Sequence, residues 1–279
     1  MGKTREVVNV VAGKRSRDGA GVRLVRVLGP CTVAAFDPFL LLDAFDSRGP
    51  DNYVRGFPWH PHRGIETVTY LIRGDIERGD SLGNKGSILD GCGQWMTAGS
   101  GIIHQEKPRA CPRMLGMQLW VNLPARDKMA RPRCRDLTAA NIPRVAEAAG
   151  TVGVIAGSYG ETEGATQGDY VRVTLLDVSL VPGTGWRMQV DPQSTAFAYT
   201  VEGDGGFGGT ATHVEKQHAV LFGDGDGVAV AAGPEGLRLM LVAGRPLREP
   251  VAWDESIVMN TQAELDQAFA DLGDGTFIR

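Results

Sequence analysis

Two short patterns between Gly56 and Pro108 could do chemistry: Trp59-His-Pro-His-Arg63 and Ile103-His-Gln-Glu-Lys107. They hold three of the chain's five histidines, His60, His62 and His104. In a β-strand, side chains at i and i+2 share a face. His60 therefore projects with His62, and His104 with Glu106. If the two strands face one another inside a barrel, three imidazoles and one carboxylate converge. Three nitrogens and one oxygen suit a divalent transition metal, with coordination positions left for water or substrate. A lone histidine is more often a hydrogen-bonded core residue. Two such pairs flanking a strand are better read as a metal site.

The elements that must position these groups read as strands. Glu66-Thr-Val-Thr-Tyr-Leu-Ile72, between the two motifs, is β-branched and aromatic. Val22 to Leu28 alternates, Phe36 to Phe45 reads as a buried strand, and Met114 to Val121 offers either of two parities to a cavity, Met117, Leu119 and Val121 or Gln118 and Trp120. Arg73-Gly-Asp75 and Ser81-Leu-Gly-Asn84 turn the chain. Residues 124–143 are basic and bounded by prolines, and read as a linker. Beyond it a second strand series begins with Thr151–Ala156, Tyr170–Val178 and Ala196–Val201. Its histidines, His213 and His218, form no His-x-His pair. Thr261-Gln-Ala-Glu264 is a capping box ahead of Leu265, Ala268, Phe269 and Leu272, which predicts one short closing helix. The expected fold class is therefore all-β. The expected domains are residues 1–130, carrying the metal, and 131–279, without metal and including the closing helix.

The residues around the histidines resemble the pirin family, a branch of the cupin superfamily. The resemblance rests on Phe57-Pro-Trp-His-Pro-His-Arg-Gly-Ile-Glu-Thr-Val-Thr-Tyr70, Asp80-Ser-Leu-Gly-Asn84 and Gln94-Trp-Met-Thr-Ala-Gly-Ser-Gly-Ile-Ile-His-Gln-Glu106. Asp37-Pro-Phe-Leu-Leu-Leu-Asp43 and Val258-Met-Asn-Thr261 look like its N-terminal and closing blocks. It implies a bicupin, two tandem antiparallel β-barrels of the jelly-roll type. It also implies one metal, Fe(2+), held by His60, His62, His104 and Glu106. Manganese, nickel, cobalt, copper or zinc would suit the same donors. Glu66 competes for the carboxylate role, because cupins in general place theirs shortly after His-x-His and Glu66 shares strand parity with His60 and His62. Pirins use the later glutamate, which leaves Glu66 as a partner orienting a ligand histidine. Some pirins are described as quercetin 2,3-dioxygenases. The implied activity is cleavage of a flavonol by O2, with Glu106 or Glu66 as general base and Phe57, Trp59, Met96 and Ile103 as pocket walls. Other pirins are described as regulators that bind a transcription factor or a metabolic enzyme, with the metal structural or redox-sensing. The implied partners are thus a flavonol-like small molecule and O2, or a protein.

Composition excludes other classes. Among 279 residues the net charge is −4 and the pI about 5.8, so no basic footprint for nucleic acid is visible. Gly 38 and Pro 15 fit a turn-rich β protein. The four scattered cysteines read as reduced thiols of a cytoplasmic protein. No secretory leader is expected from Met1-Gly-Lys-Thr-Arg-Glu-Val7, and no run approaches a membrane span.

Overall fold

The computed structural model describes residues 2–278. Strands dominate, and the chain packs as two compact units that exchange its ends. One unit comprises Arg15–Val33, Phe39–Ala139 and the chain from Leu247 onward. The other comprises the N-terminal residues through Lys14, Ala34–Pro38 and Ala140–Pro246. A single cut after residue 130 does not describe these units, and the closing helix belongs with the histidines rather than with the second strand series. Long-range pairing is the reason. Val7–Ala12 hydrogen-bonds to His218–Phe222, while Val258 N donates to Arg63 O at 3.0 Å beside the first histidine motif.

The histidine-bearing unit has two large antiparallel sheets and a two-stranded hairpin, Ala252–Met259. A seven-stranded sheet runs Arg133–Leu137, Gly93–Thr97, Ile65–Arg73, Met114–Asn122, Phe39–Ser47, Val22–Leu28, Lys14–Asp18. A four-stranded sheet runs Phe57–His62, Ile102–Pro108, Ile76–Asp80, Lys85–Ile88. The all-β bicupin architecture is present, but its sheets do not close into barrels. Two short strands, the charge-rich Lys-Arg-Ser-Arg-Asp18 and Lys-Gly-Ser-Ile88 with its single lysine, form two of the edges, and short edges that carry lysine discourage further pairing. The stretch read as a linker is partly built into the sheet: Arg133–Leu137 pairs with Gly93–Thr97, leaving its charged side chains largely at the surface. Local charge concealed that pairing.

In the other unit, nine strands form one sheet around the 18-residue strand Gly227–Gly244. Its interior is filled by Leu176, Trp186, Phe207, Phe222 and Leu239 among others. Arg5, 2 % exposed, anchors the N-terminus there by donating to the carbonyls of Asp191, Ser194 and Gly225, each at 2.9 Å. Among the described residues no helix is long and apolar enough to cross a membrane.

The closing helix, Gln262–Gly273, starts where the capping box places it. Thr261 Oγ1 accepts from Glu264 N at 3.2 Å, and Glu264 Oε2 accepts from Thr261 N at 2.9 Å. Leu265 and Ala268 pack against Ile257, Met259 and Phe277. Thr261→Ala is expected to cost about 1 kcal/mol. Hydrogen exchange should then run about fivefold faster at the helix amides, with no change at the strands of the other unit.

Candidate metal centre

The two histidine motifs are hydrogen-bonded neighbours in the four-stranded sheet, rather than strands facing one another across a barrel. His104 lies directly opposite His60, and Ile102 opposite His62. Opposite residues of an antiparallel pair share a face, so all three rings emerge on one side. Their ring centroids are 4.3 Å (His60–His104), 4.8 Å (His60–His62) and 5.0 Å (His62–His104) apart. One nitrogen from each lies within 4.8 Å of the others. His60 is half-buried, and His62 and His104 are buried.

Hydrogen bonds decide which nitrogens face inward. His60 Nδ1 lies 2.8 Å from Pro58 O, and His62 Nδ1 lies 3.2 Å from Ser256 O. A carbonyl only accepts, so both Nδ1 atoms carry the proton and both Nε2 atoms present lone pairs. Those Nε2 atoms stand 3.1 Å apart. His104 Nε2 is buried without a hydrogen-bond partner. Burial holds His62 down to about 3, helped by His60, and lowers His104 as well, so both rings are neutral at ordinary pH, the form a metal ligand requires. Two opposed lone pairs and an orphaned buried nitrogen are costly unless a cation lies among them. The donor set therefore fits a divalent metal.

Glu106 shares the inner face with His104, displaced by an irregularity in the pairing with Phe57–His62. Its Oε1 accepts from Thr69 Oγ1 at 3.2 Å and its Oε2 from Gln118 Nε2 at 3.0 Å. Thr69 and Gln118 belong to the seven-stranded sheet, which supplies the opposite wall. Burial raises the Glu106 carboxyl, against His60, the two donors and Arg78. Gln118 in turn accepts from Trp120 Nε1 at 3.1 Å, and the Trp120 ring stands edge-on to His62 at 5.1 Å. Of the two parities offered by Met114–Asn122, the one carrying Gln118 and Trp120 lines the site. Beyond Trp120 lies a cleft of about 220 Å³, bordered by Leu41, Trp253 and Arg26.

Glu66 is not brought to the histidines. It sits on the face of Ile65–Arg73 opposite to Thr69 and accepts from Thr97 Oγ1 at 2.6 Å. Counting parity across the turn fails because Gly64, at φ +78°, reverses the chain into the other sheet. A Cβ at Gly64 would lie 1.9 Å from Val258 O, so no other residue fits that turn. Among the expected walls, the Phe57 ring lies 6.4 Å from the His60 ring, whereas Trp59 is 54 % exposed. Met96 belongs to the core with Trp120, and Ile103 packs toward the closing helix.

The C-terminal segment is clamped to this site, which sequence patterns did not reveal. Arg63, 2 % exposed, donates to Asp271 Oδ2 at 2.7 Å, Ser100 O at 2.7 Å and Phe277 O at 3.0 Å, and lies 4.2 Å above the Phe277 ring. Lys128 Nζ donates to Gly64 O, Asn122 Oδ1 and Val258 O at 2.6–2.9 Å. Burial pulls its pKa down to about 7, against the charges of Glu249 and Glu264. Together they hold the Ala252–Met259 hairpin against the strand that carries His62.

Comparison with known proteins places these features. Residues 21–121 match the Pirin family model, and residues 175–278 the Pirin C-terminal cupin domain. A pirin-like protein of Caulobacter vibrioides is 43% identical over 98% of this chain and 99% of its own. A protein of Pseudomonas aeruginosa named, provisionally, as a quercetin 2,3-dioxygenase is 38% identical over 99% of both chains. The crystal structure of a quercetin 2,3-dioxygenase from Acinetobacter baumannii superposes with a TM-score of 0.89 at 30% identity, covering 98% of each chain.

Proposed function

The chain belongs to the pirin family, and from that premise we propose that it is an iron-dependent dioxygenase of the quercetinase type, acting on flavonols such as quercetin with O2. One observation carries the reading: three imidazole nitrogens converge on a point where no proton satisfies them. In this reading His60, His62, His104 and Glu106 hold the metal. Relatives named as quercetinases supply the substrate class. Four thiols outside any disulfide support a cytoplasmic setting.

When bound, a redox-active divalent metal supplies a Lewis-acidic centre that can bring a chelating enolate and O2 together. The rest belongs to this chain. Pro58 O and Ser256 O fix the tautomers of His60 and His62. Thr69 and Gln118 fix both oxygens of Glu106. Glu106 shares a strand face with His104 and is the base that takes the flavonol hydroxyl proton. Phe57 and Trp120 border the rings with apolar surface that keeps bulk water away.

The test uses anaerobically iron-loaded protein, quercetin and then oxygen, following flavonol absorbance and carbon monoxide together. Stoichiometric loss of the flavonol and release of carbon monoxide are expected in the parent protein and not in His104→Ala, which controls for free iron. Metal-loaded protein that leaves quercetin intact would overturn the dioxygenase reading and turn attention to a protein partner.

A further inference from the structure

Beside the histidines stands a buried cation that the proposed ligand set does not use. Arg78, on Ile76–Asp80, is directly opposite Glu106 in the pairing with Ile102–Pro108, so its side chain enters the same face. It is 7 % exposed. Its guanidinium forms an ion pair with Asp136. With the Gln94 amide oriented so that its oxygen faces inward, Arg78 Nε and Nη1 donate to that oxygen at 2.9 and 3.0 Å. Gln94 lies opposite Thr69, the residue that donates to Glu106. The guanidinium, carried by the four-stranded sheet, is thus held by two residues of the seven-stranded sheet.

Apart from Glu106 itself, two anions lie near enough to compensate it, and both are damped. Asp136 is 58 % exposed and screened by water. Asp80, opposite His104, is buried, but its oxygens accept from Leu82 N, Asn84 N, Asn84 Nδ2 and Cys134 Sγ at 2.9–3.1 Å. Those donors turn their positive ends toward it. Arg78 is therefore the least screened fixed charge facing the histidines. Its field reaches the ligands: it acts on both His104 and Glu106 in the direction a nearby cation must.

We propose that Arg78 sets the charge preference of the centre, favouring a bound iron in its divalent over its trivalent state. The inference rests on the ligand set proposed above. A fixed positive charge in a low-dielectric cavity repels each added unit of metal charge, so the trivalent ion is penalised more than the divalent one. The couple is a one-electron exchange, Fe(3+) gaining an electron from dithionite and Fe(2+) losing one to ferricyanide, and no bond to Arg78 forms or breaks.

The experiment is a mediated redox titration of the iron-loaded full chain, beside calorimetric Ni(2+) binding, which reports site integrity without redox chemistry. Arg78→Gln should favour the trivalent ion by about tenfold, a fall in midpoint of about 59 mV for one electron. Arg78→Lys should stay near the parent value. Asp136→Asn should move the midpoint the opposite way, upward and by less, because Asp136 is mostly exposed. Opposite signs separate an electrostatic role from loss of packing, which would not invert. An unchanged or raised midpoint in a nickel-binding Arg78→Gln overturns the inference. If that variant does not fold, an Asp136→Asn midpoint that fails to rise overturns it equally. Parent protein that binds neither nickel nor iron would instead remove the ligand set, and this inference with it.

Discussion

His104→Ala is expected to abolish binding of Ni(2+) while the chain remains folded. Partners that only orient a ligand are worth 10–100-fold in metal affinity, and removing one of the proposed ligands should exceed about 100-fold. The structural cost is small by comparison. His104 Nε2 has no hydrogen-bond partner, so truncation relieves a buried polar atom while leaving a cavity worth on the order of 2 kcal/mol. Calorimetric titration with nickel, beside circular dichroism of the metal-free proteins, checks both halves. The carboxylates give a sharper contrast. Glu106→Gln should weaken the metal strongly, whereas Glu66→Gln, on the far face of its strand, should leave the affinity unchanged. Full occupancy in His104→Ala, or equal losses in the two glutamine variants, would show that the ligand set is wrong.

The second large effect is expected far along the chain, at Asp271. Among the described residues its carboxylate is the one anion bonded to Arg63, and both side chains are at most 6% exposed. Asp271→Asn keeps the shape but leaves a buried guanidinium facing only the Ser100 and Phe277 carbonyls and a ring. Removing one partner of a buried pair costs about 3–5 kcal/mol. That loss should appear first as release of Gln262–Gly273, read as fast hydrogen exchange there. Because the helix packs on the hairpin whose Ser256 O orients His62, nickel affinity should fall as well, although no ligand has changed. Arg63→Met combined with Asp271→Leu should recover most of the stability, since a well-packed apolar pair replaces a buried ion pair at little cost. An Asp271→Asn protein whose helix exchanges no faster than the parent's would mean that the clamp contributes nothing.

What was legible in the sequence was local. Strand alternation placed His60 with His62 and His104 with Glu106, because a period of two needs only neighbouring residues. The capping box placed the start of the closing helix for the same reason, since Thr261 and Glu264 bond within one turn. Glycine and proline punctuation with β-branched runs sufficed for an all-β, two-unit chain. The tertiary structure alone decided five matters. It put the two histidine motifs side by side in one sheet. It turned Glu66 away through Gly64, exchanged the chain's ends between the units, and built Arg133–Leu137 into an edge. It also brought Arg78 and Gln118 to the centre from separate strands, and Asp271 from the helix to Arg63. Each of these depends on pairings between residues tens to hundreds of positions apart. A strand's hydrogen bonds are made by its backbone, which carries no residue-specific signal, so its partner is selected by burial and register across the whole unit.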